Sequence, residues 1–219
     1  MQKRMFRDRY GLTDLVLSGQ KTQTRDVIKI QDDRINHLRS WNLDYEFAEF
    51  GRAGEEPLRV CSKYYVGEKV AVAQSYQKAY PNADFEMVDK WTFMTESAGW
   101  KNKMFVKPDL MPHAIKITKI RFERLQDISD EDCLAEGVEK DLAEGLALYW
   151  FPVHIEGISW EERKVRSYEL SRHEYEGKPG VYFWGTPQEA YAALIDKIYG
   201  YGTWASNPYV FVYDFELVK

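Results

Sequence analysis

Tyr209-Val210-Phe211-Val212-Tyr213-Asp214-Phe215-Glu216-Leu217 sets Tyr209, Phe211, Tyr213, Phe215 and Leu217 on one face at period two, with Asp214 and Glu216 turned away at the far end. Strict alternation of this kind, built from aromatic and β-branched residues, predicts a β-strand. Asn207-Pro208 just ahead is a turn signal, so pairing begins at Tyr209. Outward from this strand, Ala114 to Leu125 reads as a second strand that changes parity. Ile115 and Ile117 share one face, whereas Ile120 and Phe122 share the other. A bulge or sharp bend near Thr118 reconciles them, as the closing of a small barrel requires. Lys69-Val70-Ala71-Val72-Ala73, after Gly67, gives a third strand, and Lys21 to Ile30 a fourth.

Three helices flank these strands. Thr186-Pro187-Gln188-Glu189 is a capping box with proline at the first helical position, followed by Ala190, Leu194 and Ile198 at four-residue spacing until Gly200. Ser129-Asp130-Glu131-Asp132 opens a shorter helix with an acidic first turn, which Gly137 ends. Thr13 is the expected cap for Asp14 to Ser18, with Gly19 at the exit. The polar and aromatic stretches near 31–62, 76–108 and 140–184 read as insertions into one domain. Glu46 to Glu56, with Gly51 and Gly54, reads as a mobile loop, and Gly177 to Gly180 as a tight turn. The expected class is α+β, mainly β, with no internal repeat.

The chain has 219 residues, 44% of them hydrophobic, enough to bury a sizeable core as one elaborated domain. A net charge of −5 argues against a grip on long nucleic acid through many phosphate contacts. The first 29 residues nonetheless hold seven basic side chains against three acidic ones, either a solvated charged face or a local anion-facing patch. Cys61 and Cys133 form no disulfide framework and no metal-ligand spacing, which suits reduced thiols in the cytoplasm. There is no signal-peptide pattern and no run of about 18 apolar residues, so neither export nor membrane spanning is expected. His37, His113, His154 and His173 are scattered without a pair at ligand spacing, and no phosphate-loop or dinucleotide glycine pattern occurs. Neither a metal nor a cofactor is expected.

Gly19-Gln20-Lys21-Thr22-Gln23-Thr24-Arg25-Asp26 packs an amine, two hydroxyls, two amides and a guanidinium directly after a helix exit. From residue type alone this is either an exposed strand start or a donor cluster for a ligand. Trp204, ahead of the closing strand, is a candidate to stack on a base or an ordinary packing residue.

Gly19-Gln20-Lys21-Thr22-Gln23-Thr24-Arg25 resembles the Gly-x-Lys-Thr-x-Thr-Arg signature of ASCH domains, and Tyr65-Val66-Gly67-Glu68 resembles the turn entering their next strand. Arg124-Leu125-Gln126-Asp127-Ile128-Ser129-Asp130-Glu131-Asp132-Cys133-Leu134-Ala135-Glu136-Gly137-Val138 is similar to their strand-to-helix passage. Trp204-Ala205-Ser206-Asn207-Pro208-Tyr209-Val210-Phe211 is similar to the closing strand of the longer, phage- and mobile-element-associated members. The resemblances come in family order and cover about half of the chain. They imply a PUA-like β-barrel with flanking helices, a fold associated with RNA binding. Some small members are amidohydrolases that remove the acetyl group from 4-acetylcytidine, and the residues they use fall here on Lys21, Thr24 and Glu136. Where longer members carry His-Met-Pro-Arg, this chain reads Leu110-Met111-Pro112-His113, which puts His113 at the arginine position.

Two functions follow as expectations. The first is a module that holds a nucleoside or a flipped RNA base in the barrel mouth, with Thr22, Arg25, His113 and Trp204 as ligand-binding residues. The second is an amidohydrolase of acylated cytosine-type amides, in which Thr24 attacks the carbonyl, Lys21 handles its proton and Glu136 orients Lys21 or protonates the leaving amine. In a regular strand Lys21 and Thr24 point to opposite faces, so convergence requires a turn or bulge just after Gly19.

Overall fold

The computed structural model describes residues 1–44, 46–81, 96–143, 146–150 and 184–218. The strands are β1 (Gln2–Arg4), β2 (Gln23–Val27), β3 (Leu38–Asn42), β4 (Phe47–Phe50), β5 (Leu58–Cys61), β6 (Lys69–Val72), β7 (Ala114–Arg124), β8 (Glu139–Ala143), β9 (Leu146–Trp150) and β10 (Tyr209–Val218). The helices used below are α1 (Leu12–Leu17), α2 (Tyr76–Ala79), α3 (Asp130–Ala135), α4 (Pro187–Tyr199) and α5 (Thr203–Ser206). The class is mixed α+β, with helix and strand in near-equal share rather than mainly β. Among the described residues no helix is long and apolar enough to cross a membrane, and no group of His, Cys, Asp and Glu is placed to hold a metal ion.

The alternating C-terminal run forms β10, which pairs antiparallel with both β7 and β2 in a five-stranded sheet ordered β1-β6-β7-β10-β2. Its central place buries both faces: Val210 and Val212 are as fully enclosed as Phe211 and Tyr213. The parity change in β7 is absorbed where expected. Asp214 lies opposite Lys119 and Phe215 opposite Ile117, so Thr118 is the unpaired residue of a bulge. Ile115, Ile117 and Ile120 thereby all reach one core with Val70, Leu15 and Tyr191.

The sheet curls but does not close into a barrel. Its outer strands β1 and β2 have no backbone pairing with each other among the described residues. The Arg4 guanidinium spans the seam instead, donating to both carboxylate oxygens of Asp26 at 2.9 and 2.6 Å. The physical reason lies in what covers β2: the Tyr199 hydroxyl on α4 donates to the outward Arg25 carbonyl at 3.0 Å, and Thr22 N–H donates to Ala135 at the end of α3. Helices occupy the edge that a closing strand would need, and β1, at three residues, is too short to displace them.

Several expectations are corrected. The 31–62 stretch carries the antiparallel sheet β3-β4-β5, and Glu46 to Glu56 is no loose loop, since Ala48 and Phe50 within it are fully buried. This small sheet docks on β7 and β10 through rings, with Trp41 stacked on Phe122 at 5.4 Å and Phe122 on Tyr209 at 5.0 Å. Thr13 does not cap α1. It sits inside the first turn and donates to Asp8 and to the Phe6 carbonyl, while Gly11, at φ 64°, starts the helix. The Thr186–Glu189 capping box opens α4 as expected, and the Ser129 side chain caps α3. Cys61 is exposed and Cys133 buried, both as free thiols. The 76–108 stretch includes α2 and short 3-10 turns in its described part. Most of 140–184, with His154, His173 and the expected turn at Gly177 to Gly180, lies outside the described residues.

Candidate functional site

The turn after α1 settles the parity question. Gly19 takes φ 77°, and the N–H groups of Gln20 and Lys21 both donate to the Leu15 carbonyl at 2.9 Å. Lys21 therefore belongs to a helix-terminating turn rather than to β2, which begins at Gln23, and its side chain escapes the alternation that governs Thr24. On the opposite wall α3 ends at Gly137, whose φ is 105°. A Cβ there would lie 2.8 Å from a Leu15 methyl and 3.8 Å from the Lys21 side chain, so glycine allows both the turn and the close approach.

These two ends bring Lys21 and Glu136 together. The Lys21 ammonium donates to Glu136 Oε2 at 2.5 Å and to the Glu136 carbonyl at 2.6 Å. Both residues are almost wholly enclosed, 2% and 4% exposed. Burial draws the Lys21 pKa down from its ordinary value, and the adjacent Glu136 carboxylate offsets this only in part. The other carboxylate oxygen, Oε1, accepts from Arg25 at 3.2 Å and from the Tyr191 hydroxyl at 3.4 Å. Burial and the charge of Glu136 together raise the Tyr191 pKa well above the ordinary phenol value, so it serves as a neutral donor.

Alternation along β2 splits the remaining residues. Gln23 and Arg25 face α3. Arg25 pairs with Glu123 and Asp132 at 2.7 and 2.8 Å besides Glu136, and Gln23 donates to Asp132 and Asp214. Burial opposes the Arg25 charge, yet Glu136, Tyr191 and Glu123 outweigh it and raise its pKa. Thr24 and Asp26 face the seam. The Thr24 hydroxyl accepts a hydrogen bond from Arg4 at 2.9 Å, and the structure gives it no bond to Lys21.

The expected ligand-binding residues are dispersed. Arg25 is inside the buried network. Thr22 is exposed, with its N–H tied to α3. Trp204 on α5 packs edge-on against Tyr191 at 6.3 Å, behind the network. His113 lies opposite Val72, whose N–H donates to the His113 carbonyl, on the β1 side of the sheet. Sequence reasoning missed Arg4, Tyr191, Glu123 and Asp132. Nothing in the three-residue β1 marks Arg4, and Tyr191 occupies an ordinary core position of an amphipathic helix. Of the seven basic side chains near the N-terminus, Arg4, Lys21 and Arg25 are spent on internal carboxylates and do not face an external anion. Comparison with protein-family models, with curated proteins and with solved structures finds no match for this chain.

Proposed function

We propose that this chain is an ASCH-type, PUA-like module that recognises a nucleoside or a single RNA base at the open seam between β1 and β2. One observation carries the reading. Lys21, Arg25 and Glu136, which the ASCH resemblance singles out across more than a hundred residues of sequence, join one buried polar network behind β2, Thr24 lies under Arg4 at the seam on its other face, and each of these cations has a carboxylate partner. A site with no uncompensated cation has little to offer a polyanion but can hydrogen-bond a neutral base. The net charge of −5 points the same way, and the free thiols fit a reducing, cytoplasmic setting.

Equilibrium titration of the four ribonucleosides, and of a short single-stranded RNA at several salt concentrations, tests this. Saturable nucleoside binding that changes little with salt is expected. If only RNA binds, with a steep salt slope, the site is an electrostatic one and the reading fails.

Hydrolysis of an acylated cytosine-type amide is the second reading, favoured by the Lys21–Glu136 contact of 2.5 Å and by the burial that lowers the Lys21 pKa. Arg4 donates to the Thr24 oxygen, which leaves the hydroxyl proton free for a base and places a cation where alkoxide charge would develop. Incubation with 4-acetylcytidine, followed by absorbance and chromatography, is the test. Turnover abolished by both Lys21→Ala and Thr24→Ala is the expected signature, and folded protein without turnover removes this activity.

A further inference from the structure

Seven buried side-chain polar atoms have no hydrogen-bond partner among the described residues, and four of them, Arg4 Nε, Tyr64 Oη, Gln74 Oε1 and His113 Nδ1, belong to residues on or beside β1, β6 and β7. The strand register sets two of them on one side of the sheet. Arg4 is the register partner of Val72 in the parallel β1–β6 pair, and Val72 N–H donates to the carbonyl of His113 across the antiparallel β6–β7 pair. Residues facing one another across paired strands project to the same side, so Arg4, Val72 and His113 form one row. Val72 belongs to the core cluster, so this is the core-facing side of the sheet. Gln74 follows two residues after Val72 and is 8% exposed. Tyr64 is 2% exposed, with the centre of its ring 5.8 Å from the Arg4 guanidinium carbon. Phe6 and Tyr213 flank the same guanidinium at 5.5 and 5.9 Å.

Buried donors and acceptors in native proteins are nearly always paired, so unpaired ones on the core-facing side of one sheet call for an explanation. The charges here are already neutralised: Arg4 is forked onto Asp26, and Lys21 is paired with Glu136. What remains is neutral hydrogen-bonding capacity of both kinds, with Arg4 Nε as a donor, Gln74 Oε1 as an acceptor, and Tyr64 and His113 able to act as either. The rings of Phe6, Tyr64 and Tyr213 supply flat apolar surface beside it. Access is through the seam, where the Asp26 side chain keeps 30% of its surface in solvent and that of Arg4 keeps 11%.

From this arrangement we infer that Tyr64, Gln74 and His113, set around Arg4, form the wall that reads the edge of an uncharged planar heterocycle presenting both a donor and an acceptor. This rests on the nucleobase-recognition reading above and adds to it the residues that decide specificity. Since the wall's polar atoms have no partner among the described residues, removing one deletes no hydrogen bond seen there and costs the complex one.

Calorimetric titration of the full chain with cytidine, uridine, adenosine, guanosine and inorganic phosphate, repeated on Tyr64→Phe and Gln74→Met with a thermal unfolding curve for each, tests the inference. The expected result is that at least one nucleoside binds, that each substitution weakens it about tenfold, and that unfolding temperatures stay equal to or above wild type. A nucleoside that binds both variants as tightly as wild type overturns the wall while leaving the recognition reading intact. Folded wild-type protein that binds no nucleoside overturns both. A lowered unfolding temperature in either variant overturns the wall, because the deleted atom then had a partner in the free protein. Binding of phosphate in preference to every nucleoside overturns the assignment of an uncharged ligand.

Discussion

Glu136→Ala is the substitution that strikes the network hardest, and the structure says which cation suffers. Arg25 loses one of three carboxylates and keeps Glu123 and Asp132. Lys21 loses its one carboxylate among the described residues and is left 2% exposed, with a backbone carbonyl as its remaining partner there. Removing one member of a buried pair costs about 3–5 kcal/mol, because the other charge is stranded. For a chain of this size that corresponds to a fall of roughly 6–20 °C in unfolding temperature. Lys21→Met is milder, since Glu136 retains Arg25 and Tyr191 as donors. The double variant should recover much of the Glu136→Ala loss, as no ammonium then remains to be stranded. A double-mutant cycle by urea unfolding measures this as a coupling of about 1–3 kcal/mol. Additive losses, or a Lys21→Met as damaging as Glu136→Ala, would refute the claim that the stranded lysine dominates.

Gly137→Ala forces a methyl to within 2.8 Å of Leu15 at a φ of 105°, and a destabilisation of about 2–4 kcal/mol is expected in denaturant unfolding, with a control such as Gly54→Ala, which meets nothing within 4 Å, losing less. Trp41→Ala removes the ring stacked on Phe122 and should expose 43–56 to limited proteolysis well before the five-stranded sheet is cut; uniform cleavage across the chain would count against separate docking of the small sheet. Acid should weaken the fold in a defined way. Burial pushes the pKa values of Asp26 and Asp132 up, but the charges and hydrogen bonds of Arg4, and of Gln23, Arg121 and Arg25, pull them below the ordinary carboxylate value. The unfolded chain then binds more protons, so stability is complete above a pH of about 4 and is lost as pH falls through the lowered values. Asp26→Asn should flatten that dependence in urea midpoints taken between pH 7 and pH 3, and an unchanged slope would argue against it.

Much of the architecture was legible along the chain because local rules wrote it. The bulge at Thr118 followed from a parity change between Ile117 and Ile120, and α4 from the Thr186–Glu189 capping box. The sheet at 31–62 was not legible. Its strands are four or five residues long, and only their packing against Phe122 and Tyr209 distinguishes them from loop. Thr13 looked like a cap because its residue type suits one, but the Asp8 carboxylate and the Phe6 carbonyl compete for its hydroxyl.

By itself the sequence determined the order and period of the main elements, the residue types at the turn after Gly19, and a charge balance unsuited to long nucleic acid. Periodicity, capping and glycine conformations act over a few residues, and a chain carries that information wherever it folds. The meeting of Lys21 with Glu136, the use of Arg4 to bridge β1 and β2, and the failure of the sheet to close were decided only in three dimensions. They depend on which groups at separations of 22 to 174 residues reach each other's hydrogen-bonding atoms, and on helices α3 and α4 taking the edge of β2 in place of a strand. No local pattern encodes such a competition, because its outcome is set by burial and partner geometry in the assembled fold.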